Sequence, residues 1–151
     1  MTICTIVDYG SGNLFSVCRA IEHCGGEVEL TGDGGRIRSA QRLLLPGVGA
    51  CGDAMMELRR RDLIEPLCAF AETGRPFLGI CIGMQLMFDR SEEFGDHDGL
   101  GLIAGRVTAI PRTTAAGVPH KVPHMGWNKI APAAGGGGWA GTILDGLKGD
   151  S

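Results

Sequence analysis

The apolar and polar positions of the first ninety residues alternate between two periods. Ile3 to Val7, ICTIV, is a short β-rich run that ends in Asp8-Tyr9-Gly10. It predicts a first strand. From Asn13 the apolar residues fall at Leu14, Val17, Cys18 and Ile21, one stripe of an amphipathic helix, and Gly25-Gly26 predicts its end. EVEL (Glu27 to Leu30) predicts a second strand. RLLLPGVG (Arg42 to Gly49) predicts a third, apolar without interruption as a strand buried on both faces should be. Helices are expected over Asp53 to Arg61 and over Leu63 to Thr73, where Pro66 is tolerated in the first turn. RPFLGI (Arg75 to Ile80) predicts a fourth strand, with a helix from Ile82 to Arg90.

Strands and helices at this short spacing argue an α/β fold with a mainly parallel sheet and helices on both faces. After Gly95 the pattern changes. GRVTAI (Gly105 to Ile110) and MGWNKI (Met125 to Ile130) are strand-like with no helix between them. They predict antiparallel strands added at an edge. Ala131 to Gly141 is Gly/Ala-rich loop. The length, 151 residues, predicts a single domain over 1–151. A doubly wound domain usually carries more sheet than this pattern supplies, so the expectation is a domain incomplete at its C-terminal side.

Composition narrows the function classes. With 44% hydrophobic residues, 21% charged and a net charge of -3, nothing points to nucleic acid or an anionic membrane as partner. No apolar segment approaches the roughly 18 residues of a membrane span. MTICTIVDYG has no basic stretch ahead of its apolar one and reads as a strand, not a signal peptide. The six cysteines are scattered, with no Cys-x-x-Cys pair. Mostly buried free thiols in a reducing cytoplasm are expected. No metal or cofactor is implied: His120 and His124 stand at i and i+4, but Pro119 and Pro123 interrupt any helix that would align them.

The candidate chemistry lies at Gly79-Ile80-Cys81-Ile82-Gly83, of the form Gly-x-nucleophile-x-Gly. Cys81 between a buried strand and a following helix would sit on a strained turn, with the flanking glycines letting neighbouring backbone approach. That geometry exposes the sulfur at the carboxyl end of the sheet, where open α/β folds bind ligands. It sets the sulfur at a helix N-terminus, which favours thiolate. It also aims the Ile82 N–H at the oxygen of an attacked carbonyl. The plainer alternative, a small buried hydrophobe, suits Cys4, Cys18 and Cys68 better than Cys81. LPGVGACGDAM (Leu45 to Met55) is a second glycine-rich loop after a buried strand, able to complete an oxyanion hole or to be a plain turn into a helix. It lacks the Gly-Lys-Ser/Thr of a phosphate loop, and DYGSGN (Asp8 to Asn13) falls short of a dinucleotide fingerprint.

LGICIGMQLMF, LPGVGACGDAM, IVDYGSGNL and KVPHMGWNKI together resemble the class I glutamine amidotransferases, and among them the glutaminase subunits of imidazole glycerol phosphate synthase. The resemblance runs from Ile3 to about Ile130. It implies a flavodoxin-like class I glutamine amidotransferase fold. It implies that Cys81 attacks the side-chain amide of glutamine to form a thioester and release ammonia. Gly47, Val48 and Ile82 would hold the oxyanion, and Gln85 and Glu93 would contact the substrate, Glu93 through its α-amino group. The ammonia would pass to a partner cyclase subunit, a (β/α)8 barrel, docked on segments containing Asn13, His124, Met125, Gly126, Trp127 and Asn128.

Two departures stand out. Family members take a base and its orienter from a His-Pro-Glu segment, and no such segment occurs in residues 1–151. None of His23, His97, His120 and His124 matches the catalytic position. At Cys51 the family more often has an aromatic residue. The alternatives are therefore a piece of an ordinary glutaminase, a catalytically inactive cyclase-binding module, a different amidotransferase or related cysteine hydrolase, and a chain of marginal stability.

Overall fold

A computed structural model describes residues 2–119, 121–123, 126–132 and 138–146. The chain divides into two compact units, Met1–Ala109 and Ile110–Ser151.

The first unit is built on four parallel strands, β1 (Ile3–Val7), β2 (Glu27–Thr31), β3 (Leu43–Leu45) and β4 (Phe77–Gly79), in the order β2-β1-β3-β4. Five helices accompany them: α1 (Leu14–His23), α2 (Gly34–Ser39), α3 (Cys51–Arg60), α4 (Ile64–Glu72) and α5 (Ile82–Gln85). Asn13 caps α1, its side chain accepting from Ser16 N–H, and Asp33 caps α2 in the same way through Arg36 N–H.

In-register pairing sets the two faces of the sheet. Thr5 stands opposite Leu43 and Leu43 opposite Phe77; one residue on, Ile6 stands opposite Leu44 and Leu44 opposite Leu78. Side chains alternate between faces. Val7, Leu43 and Leu45 therefore enter the main core with Ala54, Met55 and Leu58 of α3, Leu67 and Phe70 of α4, Ile37 of α2 and Ile82 of α5. The opposite face meets α1, which buries no residue fully. Leu44, Leu78 and Ile80 line an apolar groove there with Val17, Ala20 and Ile21.

Three further strands, β5 (Phe88–Ser91), β6 (His97–Asp98) and β7 (Ile103–Val107), form a separate sheet of order β6-β5-β7. The one antiparallel pairing among the described strands joins β5 and β6, neither of which the sequence pattern predicts as an edge strand, whereas β7, which overlaps the predicted strand Gly105 to Ile110, runs parallel to β5.

The helix predicted from Ile82 to Arg90 ends after one turn. The Leu86 carbonyl accepts from Leu100 N–H, and the Met87 carbonyl accepts from both Leu102 and Ile103. Long-range partners thus draw the chain into β5 where the sequence pattern would continue a helix. The predicted strand Gly105 to Ile110 starts earlier, at Ile103, and stops at Val107.

In the second unit, described residues form turns and one isolated bridge, Thr113 with Pro119. The strand predicted over Met125 to Ile130 is absent from residues 126–130, and Met125 lies outside the described residues. All six cysteines are free, but only Cys51 is buried; Cys24 and Cys81 are exposed and the others intermediate. The expectation of mostly buried thiols is corrected accordingly.

Candidate active site

The strand order places a reversal between β1 and β3, since β2 lies outside β1 and β3 on its other side. In open parallel sheets ligands bind at such a point, beyond the carboxyl ends of the strands. Three segments meet there: Asp8 to Asn13 after β1, Pro46 to Ala50 after β3, and Cys81 directly after β4 and Ile80.

Cys81 occupies φ 55°, ψ −119°, a conformation that side chains rarely adopt. Holding a non-glycine residue there costs about 1–3 kcal/mol, and such strain collects at functional sites. Close packing imposes the turn. A Cβ on Gly83 would lie 1.8 Å from the Leu45 carbonyl oxygen, and one on Gly79 would lie 2.6 Å from Met84 backbone. Only glycines let α5 press so closely on β3 and β4. The result is an exposed thiol on a rigid, buried base formed by Ile82 and Gly83. Ile82 is the first residue of α5, and a helix leaves that N–H without an internal partner. The helix dipole behind the sulfur is that of a single turn, weaker than the full helix the sequence predicts.

The glycine-rich loop packs on this corner. A Cβ on Gly47 would lie 2.9 Å from Gly83 N and from Ile82 Cβ, and 2.7 Å from the Tyr9 hydroxyl. Tyr9 is fully buried and its hydroxyl donates to the Pro46 carbonyl at 2.8 Å. Ser11 Oγ accepts from Val48 N–H at 3.2 Å and donates to the Val48 carbonyl at 3.0 Å. Of the predicted oxyanion donors, Gly47 and Ile82 are adjacent, while the Val48 N–H is engaged by Ser11. Burial pushes the Tyr9 phenol above its ordinary value. A bond with the Ser11 hydroxyl opposes this, and the sulfurs of Cys51 and Cys81 add to it.

Glu93, two residues past β5, reaches the same region: its Oε2 accepts from the N–H of Cys51, the first residue of α3, at 3.3 Å. Burial raises the Cys51 thiol; a Ser91 hydrogen bond lowers it and the Glu93 charge raises it further. Gln85 Oε1 is buried with no hydrogen-bond partner among the described residues. A cavity of about 510 Å³ flanks the Glu93 loop, lined in part by Ala50, Gly52, Phe94 and His97.

Sequence reading missed Tyr9, Ser11 and Ser91. DYGSGN marked the first loop, but nothing local says that its hydroxyls reach Pro46 and Val48. Asn13 serves as the α1 cap. Trp127 is fully exposed and Gly126 and Asn128 lie in the second unit; His124 and Met125 lie outside the described residues. Among the described residues no group of three or more His, Cys, Asp or Glu could hold a metal, and no helix is long and apolar enough to cross a membrane.

The fold and site define an α/β domain with an exposed cysteine on a strand-to-helix elbow. A family model, glutamine amidotransferase class-I, matches residues 5–141. The imidazole glycerol phosphate synthase subunit HisH 1 of Legionella pneumophila (strain Lens) is 49% identical over 144 residues, covering 95% of this chain and 68% of that one. The HisH subunit of Rhodopirellula baltica is 52% identical over 126 residues, covering 83% and 60%. That of Geobacillus kaustophilus is 50% identical over 125 residues, covering 83% and 59%. The chain belongs to the class I glutamine amidotransferase family, in the branch that contains these HisH subunits. A Peptidase E protein from Listeria monocytogenes EGD-e, 16% identical, matches 68% of this chain and 62% of its own with a TM-score of 0.51, a likeness of fold alone.

Proposed function

We propose that the chain is the glutaminase subunit of an imidazole glycerol phosphate synthase. The observation that carries this reading is the left-handed Cys81, exposed at a glycine-walled corner with the Gly47 loop packed against it. Cys81 Sγ attacks the side-chain carbonyl carbon of glutamine, and the carbonyl oxygen takes up negative charge. The N–H groups of Ile82 and Gly47 stabilise that oxygen, and that of Val48 joins them on exchanging Ser11 Oγ for it. Collapse breaks the C–N bond, the leaving nitrogen takes a proton and departs as ammonia, and a thioester remains. Water then releases glutamate and restores the thiol. In the family the thiol proton goes to a His of the His-Pro-Glu segment, which residues 1–151 do not include.

Gln85 and Glu93 are read as substrate-binding groups. The unpartnered Gln85 Oε1 supports this, because an unsatisfied buried acceptor costs about 1–3 kcal/mol that a ligand donor removes. The family model's span over residues 5–141 supports reading the chain as one amidotransferase domain. The partner is a cyclase subunit with a (β/α)8 barrel that receives the ammonia and forms the imidazole ring in histidine biosynthesis. Trp127, fully exposed, suits an aromatic anchor at that interface, with Asn13, His124, Met125, Gly126 and Asn128. Neither nucleic acid nor membrane has a role in this reading, and the compartment is the cytoplasm. The strained, accessible thiol favours a catalytic subunit over an inactive binding module.

A diazo-ketone analogue of glutamine tests the assignment. Mass spectrometry is expected to find the adduct on Cys81. Modification of another cysteine only, on folded protein, would refute it.

A further inference from the structure

Two fully buried polar groups stand behind Glu93 with no part in the chemistry assigned to Cys81: the Ser91 hydroxyl and the Cys51 thiol. Ser91 ends β5, and its Oγ accepts from Glu93 N–H at 3.3 Å. The same hydroxyl faces the Cys51 thiol, whose pKa it lowers against the effect of burial. Cys51 in turn donates its backbone N–H to Glu93 Oε2 at 3.3 Å. Two bonds thus hold Glu93, one from Ser91 at its backbone and one from Cys51 at its carboxylate. Each bond is long and modest alone. Together they fix both the backbone and the carboxylate of Glu93.

A glutamate side chain gives up much rotamer freedom when ordered. The two bonds meet that cost before any ligand arrives. The Cys51 N–H occupies Oε2 and leaves Oε1 without a bond among the described residues, and no cation among them pairs with Glu93. A half-buried carboxylate with one oxygen committed and one open is suited to an ammonium group of a ligand.

We propose that Ser91 is a positioning residue for substrate choice: it holds Glu93 ready to pair with the α-ammonium of a free amino-acid amide, and so makes an unblocked amino group a requirement. The proposal rests on the reading of Cys81 and Glu93 as a glutamine site. Its consequence is that glutamine within a peptide, or glutamine acylated on nitrogen, is a poor ligand.

The test uses the chain of 151 residues and two electrophiles. One is the chloroketone analogue of L-glutamine, with a free amino group; the other is its N-acetyl derivative. Each alkylates Cys81 by forming a C–S bond as chloride leaves and the thiol proton passes to solvent. Each rate is divided by that of the same protein with iodoacetamide, which removes differences in bare thiol reactivity and access. The parent chain is expected to prefer the free-amino reagent by about tenfold or more, the scale of one charged hydrogen bond. Ser91→Ala is expected to bring the preference close to one, and Ser91→Thr, which keeps the hydroxyl, to retain it. An undiminished preference in Ser91→Ala overturns the positioning role and leaves the glutamine site intact. A parent chain with no preference, or with no label on Cys81, overturns the site reading and this proposal with it.

Discussion

Ser11 Oγ brackets the Val48 residue, accepting from its N–H at 3.2 Å and donating to its carbonyl at 3.0 Å. One hydroxyl thereby ties the loop after β1 to the loop after β3, across the point where ligands bind in this fold. Ser11→Ala removes both bonds. Stability is expected to fall by about 1 kcal/mol in a denaturant titration, and the Val48 amide to exchange faster with solvent. Unchanged protection of that amide would mean the tie holds nothing.

Cys81 carries backbone strain that glycine does not feel. Cys81→Gly is expected to raise stability by about 1 kcal/mol while removing all reaction with the glutamine electrophile. A lower melting temperature in the variant would show that the corner is not strained.

Gly83 has no room for a side chain, since a Cβ would stand 1.8 Å from the Leu45 oxygen. Gly83→Ala must therefore separate α5 from β3, and a domain's margin of about 5–15 kcal/mol leaves little to absorb that. Loss of a cooperative unfolding transition is the expected outcome. A variant that unfolds as sharply as the parent, at the same temperature, would rule out the close approach.

Burial raises both the Cys51 thiol and the Tyr9 phenol, so each is held neutral in the folded chain. Groups with raised values stabilise fully below their unfolded values, and that stability is lost as pH rises through the folded ones. Stability should thus fall from about pH 9 for Cys51 and about pH 10 for Tyr9. Tyr9→Phe is expected to flatten the loss above about pH 10, and to cost about 1–3 kcal/mol at neutral pH because the Pro46 carbonyl loses its buried donor. Stability curves of parent and variant, compared across this range, check the sign.

Trp127 exposes its whole side chain. Trp127→Ala should leave stability within about 0.5 kcal/mol of the parent. It should weaken binding to a cyclase subunit by about 2 kcal/mol or more if the ring is an interface anchor. Titration calorimetry against a cyclase barrel would separate the two effects; equal affinities would remove Trp127 from the interface.

Much of the first unit was legible in the chain. β1 matches the run Ile3 to Val7, and α1 follows its stripe from the Asn13 cap, because strand alternation and helix periodicity are local signals. The Gly-x-Cys-x-Gly corner was legible because its two glycines stand within five adjacent residues, although the Leu45 and Met84 backbone that requires them lies outside the motif. Other elements were not. The first helical residues of α2 are two glycines and only Ile37 is buried, so no stripe announced it. The Ile82 helix reads as long in sequence, yet Leu100, Leu102 and Ile103 take the carbonyls of Leu86 and Met87 and end it.

The sequence by itself determined the strand-to-helix corner, the thiol it presents and the strands that carry it, since each follows from neighbours within a turn or a strand. Tertiary structure decided what surrounds the thiol. Tyr9 reaches Pro46, Ser11 reaches Val48, and Cys51 meets Glu93 across 37, 37 and 42 residues. Hydrogen bonds of that span depend on which strand ends the sheet brings side by side, and no local periodicity encodes them.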